Sequence, residues 1–386
     1  MDITPTNLFC TNKKTAMRNS HKSNITVGLS GGVDSSVTAL VLSQAGHRVT
    51  GIFMKNWVDV HGDEQCTAME DMGDARAVAE RLGIPFNSVN FAPEYWDRVF
   101  SHFLEEYKVG RTPNPDILCN REIKFDLFLK LALERGADKI ATGHYARVEQ
   151  IEGEYFLKKA LEQSKDQTYF LYTLGQEQLK YSLFPLGEFQ HKHSVRELAQ
   201  QANLITHDKK DSTGICFIGE RNFTEFLSHY LPAQPGHIVT SEGRVLGEHS
   251  GLMYYTLGQR KGLRIGGLQN TSESPWFVAG KRLTQNELVV VQGSEHPLLM
   301  STQLIAEQLH WVSGSAPSAN EPLTAKVRYR QADQHCHITQ SGMNTITIEF
   351  MEPQRAVTPG QSIVFYSGDK CLGGGIIQQV KGIIYE

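Results

Sequence analysis

The sequence has few cysteines, no long apolar run and no strong excess of charge of one sign. Six cysteines among 386 residues are too sparse for a disulfide framework in a chain of this length, so we expect reduced thiols and a cytoplasmic location. No segment approaches the roughly 18 consecutive apolar residues of a membrane span, so no membrane contact is predicted. The first residues lack the basic and apolar regions of a secretory leader, so secretion is not expected.

The net charge of −4 argues against a uniformly basic nucleic-acid binder, although it is compatible with local basic stripes. Repeats with periods of about 20–50 residues and low-complexity tracts are also missing from the sequence, which argues against a solenoid. With 40% apolar and 21% charged residues, the composition is that of an ordinary globular protein. The length is sufficient for two or three domains.

What the sequence does contain is a serine- and glycine-rich segment, residues 30–36 (SGGVDSS). An apolar β-type run, residues 25–29, precedes it, and a helical pattern that closes at Gly46 follows it. A strand, a glycine turn and a helix N-terminus in this order direct backbone N–H groups and the positive end of the helix dipole at one point. Because no Gly-Lys-Ser/Thr follows, the segment is not a Walker A loop. It resembles instead the pyrophosphate-binding loop (PP loop) of ATP pyrophosphatases, which split ATP into AMP and pyrophosphate.

Strand-like and helical patterns alternate over residues 25–145, which predicts an α/β domain with a doubly wound, mostly parallel sheet. Ligands of such sheets bind beyond the carboxyl ends of the strands. The PP loop, Met54 and the pair Gly143 and His144 all fall at such ends, so we expect them to converge. Met54 could pack on an adenine or belong to the core. His144 could contact a phosphate or a base, or serve as a buried structural histidine.

Two cysteines lie in predicted loops. Cys119 follows a proline-containing loop and precedes a helical pattern that carries Arg121 and Lys124. A helix N-terminus and neighbouring cations predict a lowered thiol pKa and a reactive thiolate. Cys216 lies in a glycine-containing segment far downstream. Each cysteine alone could be inert, but a pair of loop cysteines beside an ATP-splitting loop indicates sulfur transfer.

A proline- and glycine-containing stretch, residues 231–236, marks a change to short β-type runs and glycine turns. Residues 255–264 combine aromatic residues, glycine and cations, which suits either contact with an RNA backbone or an exposed hairpin. Residues 324–330 alternate, which predicts a strand with its three cations on one face. The spacing of the later runs predicts a small β-barrel. Two histidines, His335 and His337, share one strand face, but without further ligands no metal site is predicted.

Several motifs occur in a fixed order and carry a more specific resemblance. They are SGGVDSS (30–36), Met54, NPDILCN (114–120), TGHY (142–145), KDQTYFL (165–171), STGICFI (212–218) and TLGQRKGL (256–263). Together they resemble the tRNA-specific 2-thiouridylase (MnmA) family from about residue 25 to the C-terminus. The N-terminal tail departs from the usual start of the family.

The resemblance implies an α/β doubly wound parallel sheet of the PP-loop ATP pyrophosphatase, HUP-like type, followed by two smaller β-rich modules, the last a small β-barrel. Combined with the composition breaks, it gives a disordered tail (1–24), a PP-loop catalytic domain (25–230), a central tRNA-contacting domain (231–295) and a C-terminal β-barrel domain (296–386).

The resemblance also implies a reaction. ATP adenylates the C2 oxygen of the wobble uridine (U34) of tRNA, with Mg²⁺ expected to offset charge on the pyrophosphate that leaves. A persulfide on Cys216 then supplies sulfur, AMP leaves, and Cys119 and Cys216 end as a disulfide that must be reduced. The partners implied are tRNA, with lysine, glutamate and glutamine acceptors, and a sulfur-relay protein or cysteine desulfurase.

The site residues follow from the matched motifs. The implied catalytic residues are Asp116, Cys119 and Cys216. The implied ATP-binding residues are Gly28, Leu29, Ser30, Gly31, Gly32, Val33, Asp34, Ser35, Met54 and Gly143. The implied tRNA-binding residues are Asn114, Pro115, Asp116, His144, Lys165, Asp166, Gln167, Arg328, Tyr329 and Gln361. Without the resemblance, residues 165–167 would be a solvated charged turn.

Three alternatives remain open on the sequence alone. Asp116, Cys119 and Cys216 could ligate three irons of a [4Fe–4S] cluster whose fourth iron carries the sulfur, although we prefer the persulfide. A PP-loop ligase or amidotransferase acting on a small molecule would share the loop but need no cysteine pair. An ATP-regulated RNA-binding module would bind tRNA without releasing pyrophosphate.

Overall fold

The structure is a computed structural model that describes residues 22–57, 67–211, 223–265, 274–318, 322–342 and 344–385. The predicted tail up to residue 21 and Cys216 lie outside the described residues. Among the helices that are described, none is both long enough and apolar enough to cross a membrane.

Strands and helices alternate in the first half of the described chain, and strands dominate the second. The strands are β1 (Asn24–Gly28), β2 (Arg48–Lys55), β3 (Phe86–Asn90), β4 (Lys139–Ala141), β5 (Ala146–Ile151), β6 (Glu154–Lys159), β7 (Ser182–Leu183), β8 (Gly236–Val239), β9 (Val245–His249), β10 (Trp276–Arg282), β11 (Glu287–Gln292), β12 (Met300–Trp311), β13 (Thr324–Lys326), β14 (Gln334–Ser341), β15 (Thr345–Arg355), β16 (Ser362–Ser367), β17 (Lys370–Val380) and β18 (Ile384–Tyr385). The α-helices are α1 (Val33–Gln44), α2 (Thr67–Leu82), α3 (Ala92–Tyr95), α4 (Ser101–Lys108), α5 (Pro115–Leu118), α6 (Phe128–Glu134), α7 (Gln176–Tyr181), α8 (Lys192–Gln201) and α9 (Phe223–Ser228). Two π-helical segments, Trp96–Phe100 and Cys119–Leu127, join α3 to α4 and α5 to α6.

The first sheet is wholly parallel, with the strand order β3-β2-β1-β4-β7. In register, Val27 of β1 lies between Gly51 of β2 and Ala141 of β4. The order of the strands along the chain reverses at β1, because β2 and β3 lie on one side of it and β4 and β7 on the other. Such a reversal opens a crevice at the carboxyl ends of the strands. The predicted doubly wound parallel sheet is therefore confirmed.

Helix α1 directs its N-terminus at this crevice and is deeply buried. Its residues Val37 and Leu40 pack with Val195 of α8, while Ala39 packs with Val27 of β1. A helix that is apolar on several faces is held by burial all round. The loop that precedes α1 is thus anchored to the core.

Helices α5 and α6 and the π-helical segment between them form one continuous run from Pro115 to Glu134. The prediction that Cys119 lies in a loop and precedes this helix is wrong. Asn114 is the N-cap, and its side-chain Oδ1 accepts a hydrogen bond from the Asp116 N–H over 3.2 Å. Cys119 consequently lies one turn inside the helix, at the start of the wider π-helical segment. Such segments often mark functional sites.

The two β modules exchange strands with their neighbours. The middle sheet has the order β18-β10-β11-β8-β9, so the last described strand of the chain joins it. Strands β12, β15, β14, β13, β16 and β17 form the closed barrel, because β12 also pairs with β17. The hairpin of β5 and β6 adds to this barrel sheet through the pairing of β6 with β17. The barrel is confirmed, and the domain boundaries near 230 and 295 stay a prediction.

Two predicted β elements differ from the structure. The strand predicted over residues 324–330 ends at Lys326, and a bend follows in which Arg330 has φ of 64°. Lys326 lies close to Asp166 and Asp333, so it does not share an outer strand face with Arg328 and Arg330 as predicted. The alternation in the sequence reflects buried Ala325 and Val327, of which only the first lies in a strand.

The second predicted element that differs is the segment 255–264, for which the two predictions were contact with an RNA backbone and an exposed hairpin. It is a turn that runs between buried Leu257 and Leu263. Arg260 and Lys261 are exposed at its tip.

Candidate active site

The PP loop joins β1 to α1 and is braced by its own hydroxyls. The Ser30 N–H donates to Ser35 Oγ over 3.1 Å, and this hydroxyl donates to the Gly32 carbonyl over 3.1 Å. Gly31 has φ of 78°, and a Cβ there would collide with the backbone carbonyl of Asp71 in α2. Only glycine fits a position that combines left-handed backbone with so close an approach. The loop therefore holds the start of α1 in the orientation that an anion site requires.

Gly143 and Met54 bring the neighbouring strand ends to the same place. A Cβ on Gly143 would lie 2.8 Å from Ser35 N, so the turn after β4 packs directly on the first turn of α1. A Cβ on Gly28 would lie 3.0 Å from Met54 Cε, so the methionine covers the end of β1. The structure thus brings the predicted ATP-binding residues together around one crevice. The contact of Met54 with an adenine stays a prediction.

Asp34, in the first turn of α1, is held by residues that sequence reasoning missed. Its Oδ1 accepts a hydrogen bond from the Tyr145 hydroxyl over 2.9 Å, and its Oδ2 lies 3.3 Å from Lys192 Nζ. Burial raises the pKa of Asp34, against the opposing effects of Lys192 and Tyr145. A carboxylate at a helix N-terminus is suited to face a cation bound to phosphates. The sequence carried no signal for the contact with Lys192, because a lysine on a distant helix gives no indication of its partner.

Lys192 also links the PP loop to Asp211, the last described residue before the segment that contains Cys216. Its Nζ lies 2.6 Å from Asp211 Oδ1, and Arg196 and Lys165 lie 2.8 and 3.3 Å from the same carboxylate. Burial raises the pKa of Asp211, but Lys192 and Lys165 outweigh it and lower the pKa to about 2. The chain is therefore anchored beside α1 five residues before Cys216.

His144 occupies a packed, hydrogen-bonded position. Its Nδ1 shares a hydrogen bond of 2.8 Å with the Thr142 hydroxyl, and its ring lies between those of Phe125 and Phe184. Burial, and to a lesser degree the charge of Lys124, keeps the pKa of His144 well below its usual range. The ring is therefore neutral at pH 7. This environment is the one expected of a structural histidine, and its contact with tRNA stays a prediction.

The predicted tRNA segment 165–167 is bound into the protein. Asp166 is buried and accepts hydrogen bonds from the Thr168 hydroxyl and the Ala160 N–H over 2.8 and 3.2 Å. Gln167 Oε1 accepts a hydrogen bond from the Tyr145 N–H over 2.9 Å. Both side chains hold the segment in place, and contact of the segment with tRNA stays a prediction.

A chain of contacts connects the helical run Pro115–Glu134, which carries Cys119, with the barrel. Asn120, adjacent to Cys119, donates to the Phe170 carbonyl over 2.9 Å. The Phe170 ring packs on Tyr329, with 4.5 Å between the centroids. Arg328, the residue that precedes Tyr329, donates to the Ala356 carbonyl and lies near Gly258, whose added Cβ would be 3.5 Å from its guanidinium. The motifs at 114–120, 165–171 and 256–263 are thus joined through the barrel residues Tyr329 and Arg328.

The Cys119 thiol is fully buried, and this changes its chemistry. Burial raises the pKa of Cys119 to about 12, more than the charge of Lys124 lowers it, and Asp116 raises it further. The predicted lowering of the thiol pKa is therefore wrong for this form of the protein. A helix N-terminus and nearby cations activate a thiol only when it is partly exposed. The Cys119 sulfur has to become accessible before it can react.

A cavity of ≈ 40 Å³ lies between this helix and the barrel. Asn114, Arg121 and Thr173 line it from the first domain, and His310 and Ser362 line it from the barrel. A volume of this size holds a water molecule or two and is too small for a nucleobase. A base that enters here must therefore move the helix, the barrel or both.

Among the described residues, no cluster of three or more His, Cys, Asp or Glu side chains is arranged to hold a metal ion. Of the three residues considered as cluster ligands, Asp116 and Cys119 are among the described residues, and Cys216 is not.

A doubly wound parallel sheet with a PP loop at its switch point, followed by two β modules, defines the molecule as a PP-loop α/β nucleotide-binding protein with appended β domains.

Comparison with known proteins narrows this class. Residues 23–220 match the family model described as tRNA methyl transferase HUP domain. Residues 224–292 match the tRNA methyl transferase PRC-barrel domain, and residues 301–377 match the aminomethyltransferase β-barrel domain.

The chain is 60% identical over 357 residues to tRNA-specific 2-thiouridylase MnmA of Nitrosococcus oceani, which covers 92% of this chain and 97% of that protein. It is 59% identical to the protein of the same name from Francisella philomiragia, over 92% of this chain and 98% of that one. The chain belongs to the tRNA-specific 2-thiouridylase MnmA family. These near-full-length relatives, rather than the methyl transferase wording of the domain models, decide the assignment.

A solved 4-thiouridine synthetase in complex with RNA and ATP covers 54% of this chain and 50% of its own, at 18% identity and a TM-score of 0.35. A TM-score this low supports no conclusion about this chain.

Proposed function

We propose that this protein is a tRNA-uridine 2-sulfurtransferase that uses ATP to convert the wobble uridine of tRNA to 2-thiouridine. Membership of the thiouridylase family at 60% identity is the observation that carries this proposal. The PP loop at the switch point and a cysteine-bearing helix are the parts that the reaction needs.

In the first step, the loop from Ser30 to Ser35 and the start of α1 hold the phosphates of ATP, with the adenine near Met54 and Gly143. The C2 oxygen of the uridine attacks the α-phosphorus, which gives an adenylated base and pyrophosphate. Backbone N–H groups at the helix N-terminus stabilise the charge that develops on the phosphates. Mg²⁺, when bound beside Asp34, would neutralise part of that charge.

In the second step, the terminal sulfur of a Cys216 persulfide replaces the adenylated oxygen at C2. The C–O bond to AMP breaks, the S–S bond of the persulfide is cleaved by the Cys119 thiolate, and a Cys119–Cys216 disulfide forms. A dithiol reductant then restores both thiols. Asp116, whose charge acts on Cys119, would take up the thiol proton. A [4Fe–4S] cluster on Asp116, Cys119 and Cys216 would be the alternative sulfur carrier.

The buried thiol of Cys119 fits a reaction that begins only after tRNA binds. We propose that the tRNA approaches along Asn114, Pro115 and Asp116, together with His144, Lys165, Asp166 and Gln167 of the catalytic domain and Arg328, Tyr329 and Gln361 of the barrel. We further propose lysine, glutamate and glutamine acceptor tRNAs, a sulfur-relay protein or cysteine desulfurase as donor, and a cytoplasmic location. The sparse cysteines support the last point.

Hypomodified tRNA, Mg-ATP and a persulfide donor provide the test. Pyrophosphate release and 2-thiouridine formation, the latter by mass spectrometry of nucleosides, are measured for wild type and Cys216→Ala. We expect the wild type to give both products and the variant to release pyrophosphate without thiouridine. A wild type that releases no pyrophosphate in the presence of tRNA would overturn the proposal.

A further inference from the structure

Lys281 is a buried lysine in the middle of β10, and its side chain is 1% exposed. Its Nζ donates a hydrogen bond to the Gly110 carbonyl over 2.8 Å. Burial lowers the pKa of Lys281 to about 7. Burying an amine costs free energy that an apolar side chain of similar length would avoid. The hydrogen bond from Lys281 to Gly110 joins the middle module to the first domain, and an apolar side chain at this position could not make it.

Gly110 is the point at which the middle module touches the loop that leads to the helical run Pro115–Glu134, which carries Asp116 and Cys119 and is called the catalytic helix below. Its φ is 79°, and a Cβ there would lie 2.6 Å from Leu283 Cδ2 and 3.3 Å from the Tyr385 hydroxyl. Lys281 and Tyr385 are register partners on β10 and β18. Strands β10 and β18 of the middle sheet therefore both lie against Gly110, where the loop to the catalytic helix begins.

The C-terminal barrel holds the residues that come next. The Gln361 amide donates to the Thr112 carbonyl over 2.7 Å and to the Pro113 carbonyl over 3.3 Å. The Thr112 N–H donates to the Pro359 carbonyl over 3.1 Å. Residues 110–113 are thus held at one end by the middle module and at the other by the barrel.

We propose that Lys281 and Gln361 are positioning residues that couple the two β modules to the catalytic helix. The held segment ends at Asn114, whose side chain caps the helix that carries Asp116 and Cys119. A shift of either β module on tRNA therefore moves this cap directly. The inference rests on the proposed function, since positioning of the helix affects rate only if the helix takes part in the reaction.

The test compares Lys281→Met and Gln361→Leu with Glu287→Gln as the matched control. Glu287 lies in the same sheet as Lys281 and pairs with Arg282, which is not part of the contact with Gly110. Two quantities are measured: single-turnover thiolation of tRNA, with KM for ATP and tRNA, and hydrogen exchange of the peptide that covers residues 106–114 in the free protein.

For both variants we expect a roughly tenfold to hundredfold lower thiolation rate, because small misplacements of a catalytic group have effects of this size. The KM for ATP should stay within twofold of wild type. The peptide 106–114 should exchange faster in both variants, and the control should match wild type in both measurements.

Wild-type exchange and wild-type rate in Lys281→Met would overturn the inference, as would a loss of tRNA affinity with unchanged exchange. If Lys281→Met does not fold, the hydrogen exchange of Gln361→Leu in the free protein decides the question, because its rate would also fall through loss of the proposed tRNA contact. A wild type that forms no thiouridine would instead refute the proposed function, while the exchange measurement would still test the coupling.

Discussion

The hydroxyl of Tyr145 donates a hydrogen bond to Asp34 Oδ1 over 2.9 Å and so ties the turn after β4 to the first turn of α1. The two residues are far apart in the sequence and meet at the switch point of the parallel sheet. The bond also lowers the pKa of Asp34, against the burial that raises it. Together with Lys192, Tyr145 therefore favours the charged form of Asp34 in the place where ATP phosphates are proposed to bind.

Tyr145→Phe should weaken the ATP step. A hydrogen bond to a charged group is worth about 1.5–3 kcal/mol, so we expect tRNA-dependent pyrophosphate release to fall by roughly tenfold or more. The acidic limb of its pH profile should move to higher pH, because the pKa of Asp34 loses one of the influences that lower it. Tyr181→Phe, the same change on α7, is the control. An unchanged rate and pH profile would show that the hydrogen bond from Tyr145 to Asp34 does not contribute to the ATP step.

Cys119 should resist alkylation in the native protein. With a buried sulfur and a pKa raised to about 12, very little thiolate is present at pH 8. We expect iodoacetamide to label Cys119 slowly and the rate to rise nearly tenfold for each pH unit between 8 and 10. Peptide mass spectrometry measures the rate, and labelling in urea gives the unprotected reference. Fast labelling that levels off below pH 9 would contradict the burial of the thiol.

Asp211→Asn should destabilise the protein in a pH-dependent way. The pKa of Asp211 in the folded protein is lowered to about 2, so the carboxylate contributes stability above about pH 4 and loses it as the pH falls towards 2. Because the side chain is 32% exposed, we expect only about 1 kcal/mol at pH 7. Urea unfolding at pH 7 and pH 3 measures the difference, with the exposed Asp208→Asn as control. A difference of equal size at both pH values would refute the ion-pair explanation.

Arg260 and Lys261 test whether the turn 255–264 contacts RNA. Both are exposed at its tip, and Gly258 in the same turn lies beside Arg328 of the barrel. Each alanine variant should weaken tRNA binding and reduce the slope of log K against log salt by about 0.7–0.9, the effect of one lost phosphate contact. Lys130→Ala, an exposed lysine on α6, should leave the slope unchanged. Equal slopes in all variants would make the turn a surface loop without RNA contact.

The fold was largely predictable because local patterns determine it. The alternation of strands and helices over residues 25–145 and the strand–glycine–helix signal at Gly31 both arise from residues close in sequence. The exchange of strands between modules was not predictable. The pairing of β6 with β17 and of β10 with β18 depends on which edges the folded modules present.

The candidate site was also predictable only in part. The sequence indicated that Gly143 and Met54 lie beside the PP loop, and their roles stay a prediction. It did not indicate the state of Cys119, because the neighbours in sequence showed cations and not the burial that raises its pKa. The contacts of Lys192 with Asp34 and Asp211, and of Lys281 with Gly110, join segments that are remote in the chain. No local pattern marks a lysine for such a role.

Lys281→Met should also change how stability depends on pH. The pKa of Lys281 is about 7 in the folded protein and 10.5 in the unfolded chain, so between these values the unfolded state binds more protons. The free energy of unfolding of the wild type should therefore rise with pH over this range, relative to the variant. The nearby His249, whose pKa is lowered by burial, stays uncharged there and does not obscure the effect.

Urea unfolding of wild type and Lys281→Met at pH 6.5, 8 and 9 measures this difference. The variant should be the more stable protein at pH 6.5, where the wild type must bury a charged amine or release its proton, and the two should approach each other at pH 9. Parallel pH curves would mean that the Lys281 amine titrates normally and is reached by water. A residue in that state could not hold the Gly110 carbonyl in an apolar junction, so the same measurement also tests the coupling of the middle module to the catalytic helix.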